Sequence, residues 1–311
     1  MEFADIAVIY QDHYVLIINK PAGIVIHPTY KHAGDTLWDA LLLFWAQQPQ
    51  DDWQPPQLAD DPAWQQAPRH IQEMLRQRRV ERYWQEEGTL SRPCLLHRLD
   101  KDTSGVVALA RTERSRRHFV RQFEDHTIAK RYLAVVKKRA PWWAQPRTAF
   151  TFAQVRGHEH VVLDDVAALF SATPQDEFVL CGPLGRDPAD RRRCVVIADG
   201  QTASTRVRVL GVENGYALLE VQPITGRTHQ IRAHLAALGY AIVGDPVYAA
   251  GMQENTTLSR QFLHAHSLTL YSYPACAAQT FVAPLADDLL LWLQGHTPAL
   301  MTCAQHYCQA L

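Results

Sequence analysis

Residues 97 to 105 read His-Arg-Leu-Asp-Lys-Asp-Thr-Ser-Gly, and five apolar residues, Val106-Val107-Ala108-Leu109-Ala110, follow without a break. This junction constrains the fold more than any other stretch. An apolar, partly β-branched run directly after a polar turn reads as a buried strand. The turn residues then sit at the strand's entry, where a rigid scaffold can hold a carboxylate at a cleft. Asp, Thr, Ser and Gly are also ordinary turn formers, so the run by itself fixes a strand entry and not a chemistry.

The flanking segments alternate strand and helix signals. Ile6–Tyr10 and Tyr14–Ile18 are β-prone runs split by Gln11-Asp12-His13 and read as a hairpin. The turn Asn19-Lys20-Pro21-Ala22-Gly23 leads into Ile24-Val25-Ile26, which reads as a further strand, and then His27-Pro28. Thr36–Trp45 reads as a helix with Leu37, Leu41 and Phe44 on one face. Residues 47 to 68 are rich in Gln, Pro, Asp and Trp, have no period and read as a loop; residues 69 to 85 read as a basic helix. Thr112 is a plausible N-cap for a helix reaching Asp125, and Lys130–Val136 reads as a strand. Residues 140 to 175 carry no functional signal. After a strand over Tyr216–Val221, Gly226-Arg227-Thr228-His229-Gln230-Ile231-Arg232-Ala233-His234 opens a helix with Ile231, Leu235 and Leu238 buried and Gly239 as its stop. In that helix Thr228, His229 and Arg232 fall on a neighbouring face. A helix and tail follow from Ala286. The sum is an α+β pattern.

Composition removes several classes of function. No apolar run approaches the roughly 20 residues of a membrane span. Met1-Glu2-Phe3-Ala4-Asp5 lacks the basic and apolar stretches of a secretion signal. The six cysteines, at 94, 181, 194, 276, 303 and 308, form no C-x-x-C pair and suit reduced thiols, so a cytoplasmic location is expected. His158 and His160 flank Glu159 without further ligands, and no metal is expected. Phosphate-loop, nucleophile-elbow, zincin and dinucleotide motifs are missing. Net charge is −1 over 31 basic and 32 acidic residues, but the signs are segregated. Arginines gather at 69–82, 111–121 and 191–193, with Lys130, Arg131, Lys137, Lys138 and Arg139 between them. Acids gather at Asp51-Asp52, Asp60-Asp61, Glu86-Glu87, Asp164-Asp165 and Asp287-Asp288. A nearly neutral chain can thus carry a basic face.

Residues 97–105 are similar, residue for residue, to the signature His-Arg-Leu-Asp-x-x-Thr-Ser-Gly of the RluA-type pseudouridine synthases. The chain also resembles that family in Asn19-Lys20-Pro21-x-Gly23, in Lys130-x-Tyr132, in Gly226-Arg227-x-His229-Gln230-x-Arg232, in Gly244-Asp245-Pro246-x-Tyr248 and in Leu263-His264-Ala265. The resemblance covers most of residues 3 to 285 in the family order. It departs at Gln201, where lysine is common, and at residues 47–90, which read as an insertion of undeduced role.

The resemblance implies one catalytic domain over residues 1–285, a mixed and mainly antiparallel sheet with flanking helices and an RNA cleft, and a C-terminal helix and tail over 286–311. It implies cleavage of the uracil C1′–N1 bond, rotation of the base and rejoining through C5, with no metal and no cofactor. Asp100 takes the nucleophile's place, Arg232 its partner's and Tyr132 the active-site tyrosine's. Arg98 would fill the gap left by the extruded base. His97, Lys20, Lys130, Arg227 and His229 are the expected RNA contacts, Lys20 alternatively supporting the site. The partner is structured RNA, ribosomal or transfer, with no membrane; protein partners are unspecified and a monomer is expected. The first strand begins almost at once, so RNA grip is expected from the catalytic domain and the insertion.

The residue types suit this chemistry. An aspartate, with an ordinary pKa of about 3.9, is ionised at neutral pH and can attack C1′ of the sugar or C6 of the base; both remain open. An RNA-covered cleft disfavours that charge, and a buried arginine restores it. Arginine's fork can hold both carboxylate oxygens, which lysine cannot. Tyr132 offers a ring for the uracil face and a hydroxyl for the C5 proton. Flipping a base costs a few kcal/mol, less in loops, and stacking returns about 1–3 kcal/mol. Two rivals stand beside this reading: a non-catalytic RNA-binding module that keeps the fold, and a hydrolase pairing Asp100 with Asp102.

Overall fold

The computed structural model describes residues 6–310 apart from 29, 31, 49–52, 54–60, 139–148, 164–168, 170, 174–175 and 250–257. Half of the 47–68 loop, the acidic pairs Asp51-Asp52 and Asp164-Asp165, Asp60, Arg139 and the Trp142-Trp143 pair therefore lie outside the described residues.

β1 (Ala7–Gln11) and β2 (Val15–Lys20) form the expected hairpin. The Asp12 carboxylate closes its turn by accepting from the backbone N–H groups of Tyr14 and Val15 at 2.7 Å each. Ile24-Val25-Ile26 is not a strand. The carbonyls of Val25 and Ile26 accept from Leu37 and Trp38, two of the orphan N–H groups at the start of α1 (Leu37–Gln47). Thr36 and Asp39 complete that start as a reciprocal capping box. α2 (Arg69–Glu87) is followed by β3 (Thr89–Leu95) and by β4 (Ser104–Thr112), in which every residue is buried. Thr112 caps α3 (Glu113–Glu124) as its position suggested, and β5 (Ala129–Lys138) follows.

The second half adds β6 (Thr151–Arg156), β7 (Glu159–Val162), β8 (Glu177–Cys181), β9 (Leu184–Arg186), β10 (Cys194–Val196), β11 (Ser204–Glu213) and β12 (Tyr216–Pro223). α4 (Gln230–Ala237), β13 (Tyr240–Ile242), β14 (Leu263–Tyr271), β15 (Ala278–Val282), α5 (Asp287–His296) and α6 (Pro298–Gln309) complete the chain. Among the described residues thirteen strands form one sheet in the order β1-β2-β4-β14-β5-β12-β11-β8-β6-β7, with β3 beside β4, β15 beside β14 and β13 beside β5. Among the described residues β9 and β10 form a separate two-stranded sheet, and Leu184 of β9 also bridges Gln201. The fold is α+β, and its sheet is antiparallel except where β4 and β14 run parallel.

That exception needs Gly105. At φ +118° it lies so close to β14 that a Cβ would stand 2.2 Å from the Ala265 carbonyl oxygen. Only glycine permits the approach.

The C-terminal segment differs from the expected helix and tail. α5 and α6 bury Leu289, Trp292, Leu293, Leu300 and Ala304 in the main core, with Leu218 and Val209 of the sheet. Thr297-Pro298 breaks one helix and starts the next, because proline suits the first position of a helix. Among the described residues no helix is long and apolar enough to cross a membrane.

Candidate active site

Asp100 opens a tight turn, closed by the Thr103 N–H donating to the Asp100 carbonyl at 3.1 Å. Leu99 is buried in the core beside Tyr132, which anchors the turn from behind and leaves Arg98 and Asp100 facing a cleft of about 960 Å³. Lys20 at the end of β2 braces the turn from below. Its Nζ donates to the carbonyls of Lys101 (2.8 Å), Thr103 (2.9 Å), Pro21 (2.9 Å) and Asp100 (3.3 Å). Lys20 is fully buried, so the expectation of an RNA contact there gives way to support of the site. Burial pushes its ammonium down to about 7, and the charges of Asp102 and Asp100 oppose this. Thr103 accepts from Gln261 at 3.2 Å and Ser104 pairs with His264 at 2.9 Å, so the Thr-Ser of the motif stitch the turn to β14 and the residues before it. Arg260 donates to the Asp102 carbonyl and grips Asp288 of α5 with Nε and Nη2, tying the turn to the C-terminal helices.

Arg232 reaches Asp100, as expected, but not with its fork. Nη1 alone donates to Asp100 Oδ2, at 3.0 Å. Nε and Nη2 lie on Asp245, at 2.7 and 2.9 Å. Asp245, fully buried, was assigned no role from sequence. Its Oδ1 also accepts from the backbone N–H groups of Val247 and Tyr248, both at 2.9 Å, and the Tyr248 ring lies 5.1 Å from the Arg232 guanidinium. The other oxygen of Asp100 accepts no hydrogen bond among the described residues, and the side chain is 26% exposed.

Thr228 and His229 precede α4 rather than lying on it. His229 is in the left-handed region, φ +54°, at the N-cap. This backbone turn aims Nε2 to within 3.9 Å of Asp100 Oδ2, while Nδ1 faces the Tyr248 hydroxyl at 3.4 Å. Burial lowers the His229 pKa, with the Asp100 charge opposing. Gln230 latches the turn: its amide donates to the Ser204 carbonyl and Thr205 hydroxyl, and its oxygen accepts from Thr225 and the Arg227 N–H.

Tyr132 projects from β5 into the cleft. Burial first, and then the negative charge of Asp100, raise its pKa far above neutrality. The phenol therefore stays protonated at neutral pH. His97 turns inward: its Nε2 accepts from the Ala108 N–H at 3.2 Å and its ring stacks on Phe123 at 5.2 Å. Burial pushes it down to about 3, so it is a neutral acceptor. Lys130 lines the cleft half-buried, and burial lowers its pKa. Exposed Arg98, Lys101 and Arg227 stand around the opening, joined by Arg186 of β9, a cleft residue not found from sequence. No side-chain group among the described residues gathers three metal-ligating side chains.

Comparison with known proteins fits this geometry. A profile of the family described as RNA pseudouridylate synthase matches residues 14–237, and the chain belongs to that family, in its RluA-type branch. It is 36% identical over 276 residues to an uncharacterized RNA pseudouridine synthase of Chloroflexus aurantiacus, covering 89% of this chain and 65% of that one. It is 28% identical over 300 residues to ribosomal large subunit pseudouridine synthase D of Nitrosomonas europaea, covering 94% and 66%. The chain thus spans just under two thirds of the length of these curated relatives. Human RNA pseudouridylate synthase domain containing 4 shares the fold, with TM-score 0.53 and 21% identity over 93% of this chain and 92% of that one.

Proposed function

We propose that the protein converts uridine to pseudouridine in structured RNA, with Asp100 as the nucleophile, and that its substrate is the RNA of the large ribosomal subunit. The observation that carries the reading is the half-held Asp100 carboxylate: one oxygen on Arg232, the other open to a cleft rimmed by Arg98, Lys101, Arg186 and Arg227. A carboxylate fixed in direction yet open on one oxygen can attack carbon; the surrounding cations suit a polyphosphate ligand. Relatives named ribosomal large subunit pseudouridine synthase D, from Nitrosomonas europaea, Zymomonas mobilis and Xanthomonas campestris, favour ribosomal over transfer RNA.

Within this reading Arg98 occupies the place of the flipped base, the Tyr132 ring supports the uracil, and Lys130 with Arg227 meets phosphate. The catalytic unit runs over residues 1–285 with residues 47–90 inserted, and the protein works as a cytoplasmic monomer. A hydrolase pairing Asp100 with Asp102 is disfavoured, because Asp102 does not line the cleft.

The test incubates wild-type protein and Asp100→Asn with large-subunit RNA and, separately, with total transfer RNA, and maps pseudouridine in each. Wild-type protein should modify large-subunit RNA at discrete sites, and Asp100→Asn should make no product while still binding. Product only in transfer RNA would move the substrate; release of free uracil would make the protein a hydrolase; product from Asp100→Asn would remove the nucleophile.

A further inference from the structure

Asp245 stands 13 residues after Arg232 in the chain, and its carboxylate has no exposure. A buried charge is retained only where it is paired and hydrogen-bonded. Asp245 meets that condition fully: Oδ2 accepts from Arg232 Nε, and Oδ1 from Arg232 Nη2 and two backbone N–H groups. The turn that presents it is fixed by Gly244. At φ +71° a Cβ there would stand 2.1 Å from the Arg260 carbonyl oxygen, so the backbone cannot drift.

The consequence lies at Asp100. A guanidinium offers its Nε–Nη2 edge to one carboxylate two-pronged. Asp245 takes that edge, and the Tyr248 ring lies against the guanidinium. What is left for Asp100 is Nη1, and one bond to one oxygen. An arginine free to turn would clasp both oxygens of Asp100, and a carboxylate held on both oxygens is a poorer nucleophile.

We infer that Asp245 is a positioning residue for the reaction: it occupies the forked edge of Arg232 and so keeps one oxygen of Asp100 free to attack carbon. The inference rests on the proposed pseudouridine synthase activity. It makes Arg232 a strut between two acids rather than a simple counter-charge. It also predicts that Asp245 acts on the rate only through Arg232.

The test is a double-mutant cycle on Asp245→Asn and Arg232→Met, read as kcat and KM for pseudouridine formation on large-subunit RNA. Asparagine keeps the oxygen that accepts from Val247 and Tyr248 but sets an N–H donor against Arg232 Nε, which releases the fork. Asp245→Asn should lower kcat about tenfold or more, the usual scale for a partner that orients a reactive group, with KM unchanged. In the Arg232→Met background the same substitution should lower kcat no further, because the residue it works through is gone. Removing both charges leaves no fully buried ion unpaired, Asp100 being partly exposed, so the double variant folds even where Asp245→Asn alone does not, and its comparison with Arg232→Met remains decisive. Losses that multiply across the cycle, or a loss confined to KM, would overturn the inference. Wild-type protein inert on every RNA would instead overturn the functional reading beneath it.

Discussion

Lys20 illustrates how a buried motif residue can hold a turn from beneath. Four backbone carbonyls converge on its Nζ, three of them from the turn that carries Asp100. Methionine in its place fills the volume but donates nothing, and a buried acceptor left without a donor costs about 1–3 kcal/mol. Lys20→Met should therefore destabilise the protein by about 2 kcal/mol or more and slow turnover, while RNA affinity stays the same. Urea unfolding and a filter-binding titration check both halves; weaker binding at unchanged stability would return Lys20 to the RNA surface. Asp100 and Arg232 were legible in the sequence because both sit inside dense, spaced motifs. Asp245 sat in a matched motif too, yet Gly-Asp-Pro is ordinary turn chemistry. Nothing in linear spacing says which acid an arginine will meet once folded. Arg186 was hidden for the same reason: β9 reaches the cleft only through tertiary packing.

At the scale of elements, local rules served where local rules decide. The hairpin, the helix that begins beside Thr36, the Thr112 cap and the strand after residue 105 all follow from residues within a few positions of one another. Two readings failed where distant contacts decide. Ile24-Val25-Ile26 has strand composition, but α1 takes its carbonyls. The segment after Ala286 became two core helices because the sheet supplies an apolar face for them. α2 is the opposite case, a helix whose only buried residue is Glu87. It is docked by charge at its C-terminal end: Arg114 binds Glu86 and Glu87 at 2.7 and 3.1 Å, and the Tyr273 hydroxyl donates to Glu87 at 2.8 Å. Exposed ion pairs contribute little, so Glu87, buried and doubly bonded, carries most of this attachment. Replacing Glu86 and Glu87 together by glutamine should speed amide exchange along α2 well beyond tenfold faster than any change in β4, β5 or β14, with catalytic rate preserved. Exchange that rises equally in sheet and helix would mean that α2 is an integral part of the core.

Across the whole molecule, buried neutral histidines set the response to acid. Burial pushes His264 down to about 3 and His234 to about 4, and both rings are fully buried. Unfolded, each takes up a proton near its ordinary value of about 6.5. Their contribution to stability is thus fully present above that value and is lost as pH falls toward 3 to 4, by about 1.4 kcal/mol per pH unit for each histidine. The urea midpoint should fall steeply between pH 6.5 and 5, above the range in which carboxylates titrate, and these groups should add no slope between pH 7 and 8. A midpoint that holds constant from pH 7 to 5 would contradict their burial as neutral rings.

The parallel pairing of β4 with β14 also has a consequence in time. Ser104 and His264, which meet across it, are 160 residues apart in the chain. Translation adds roughly 5–20 residues per second, so the ribosome makes the Asp100 turn on the order of ten to thirty seconds before the strand that fixes it. Arg232 and Asp245 arrive in the same interval, and α5, which grips Arg260, later still. During synthesis the turn therefore has Lys20 beneath it but neither Arg232 nor Gln261 nor His264 around it. Its completion waits on the late strand, so the folded site is a product of the whole chain and not of its first half.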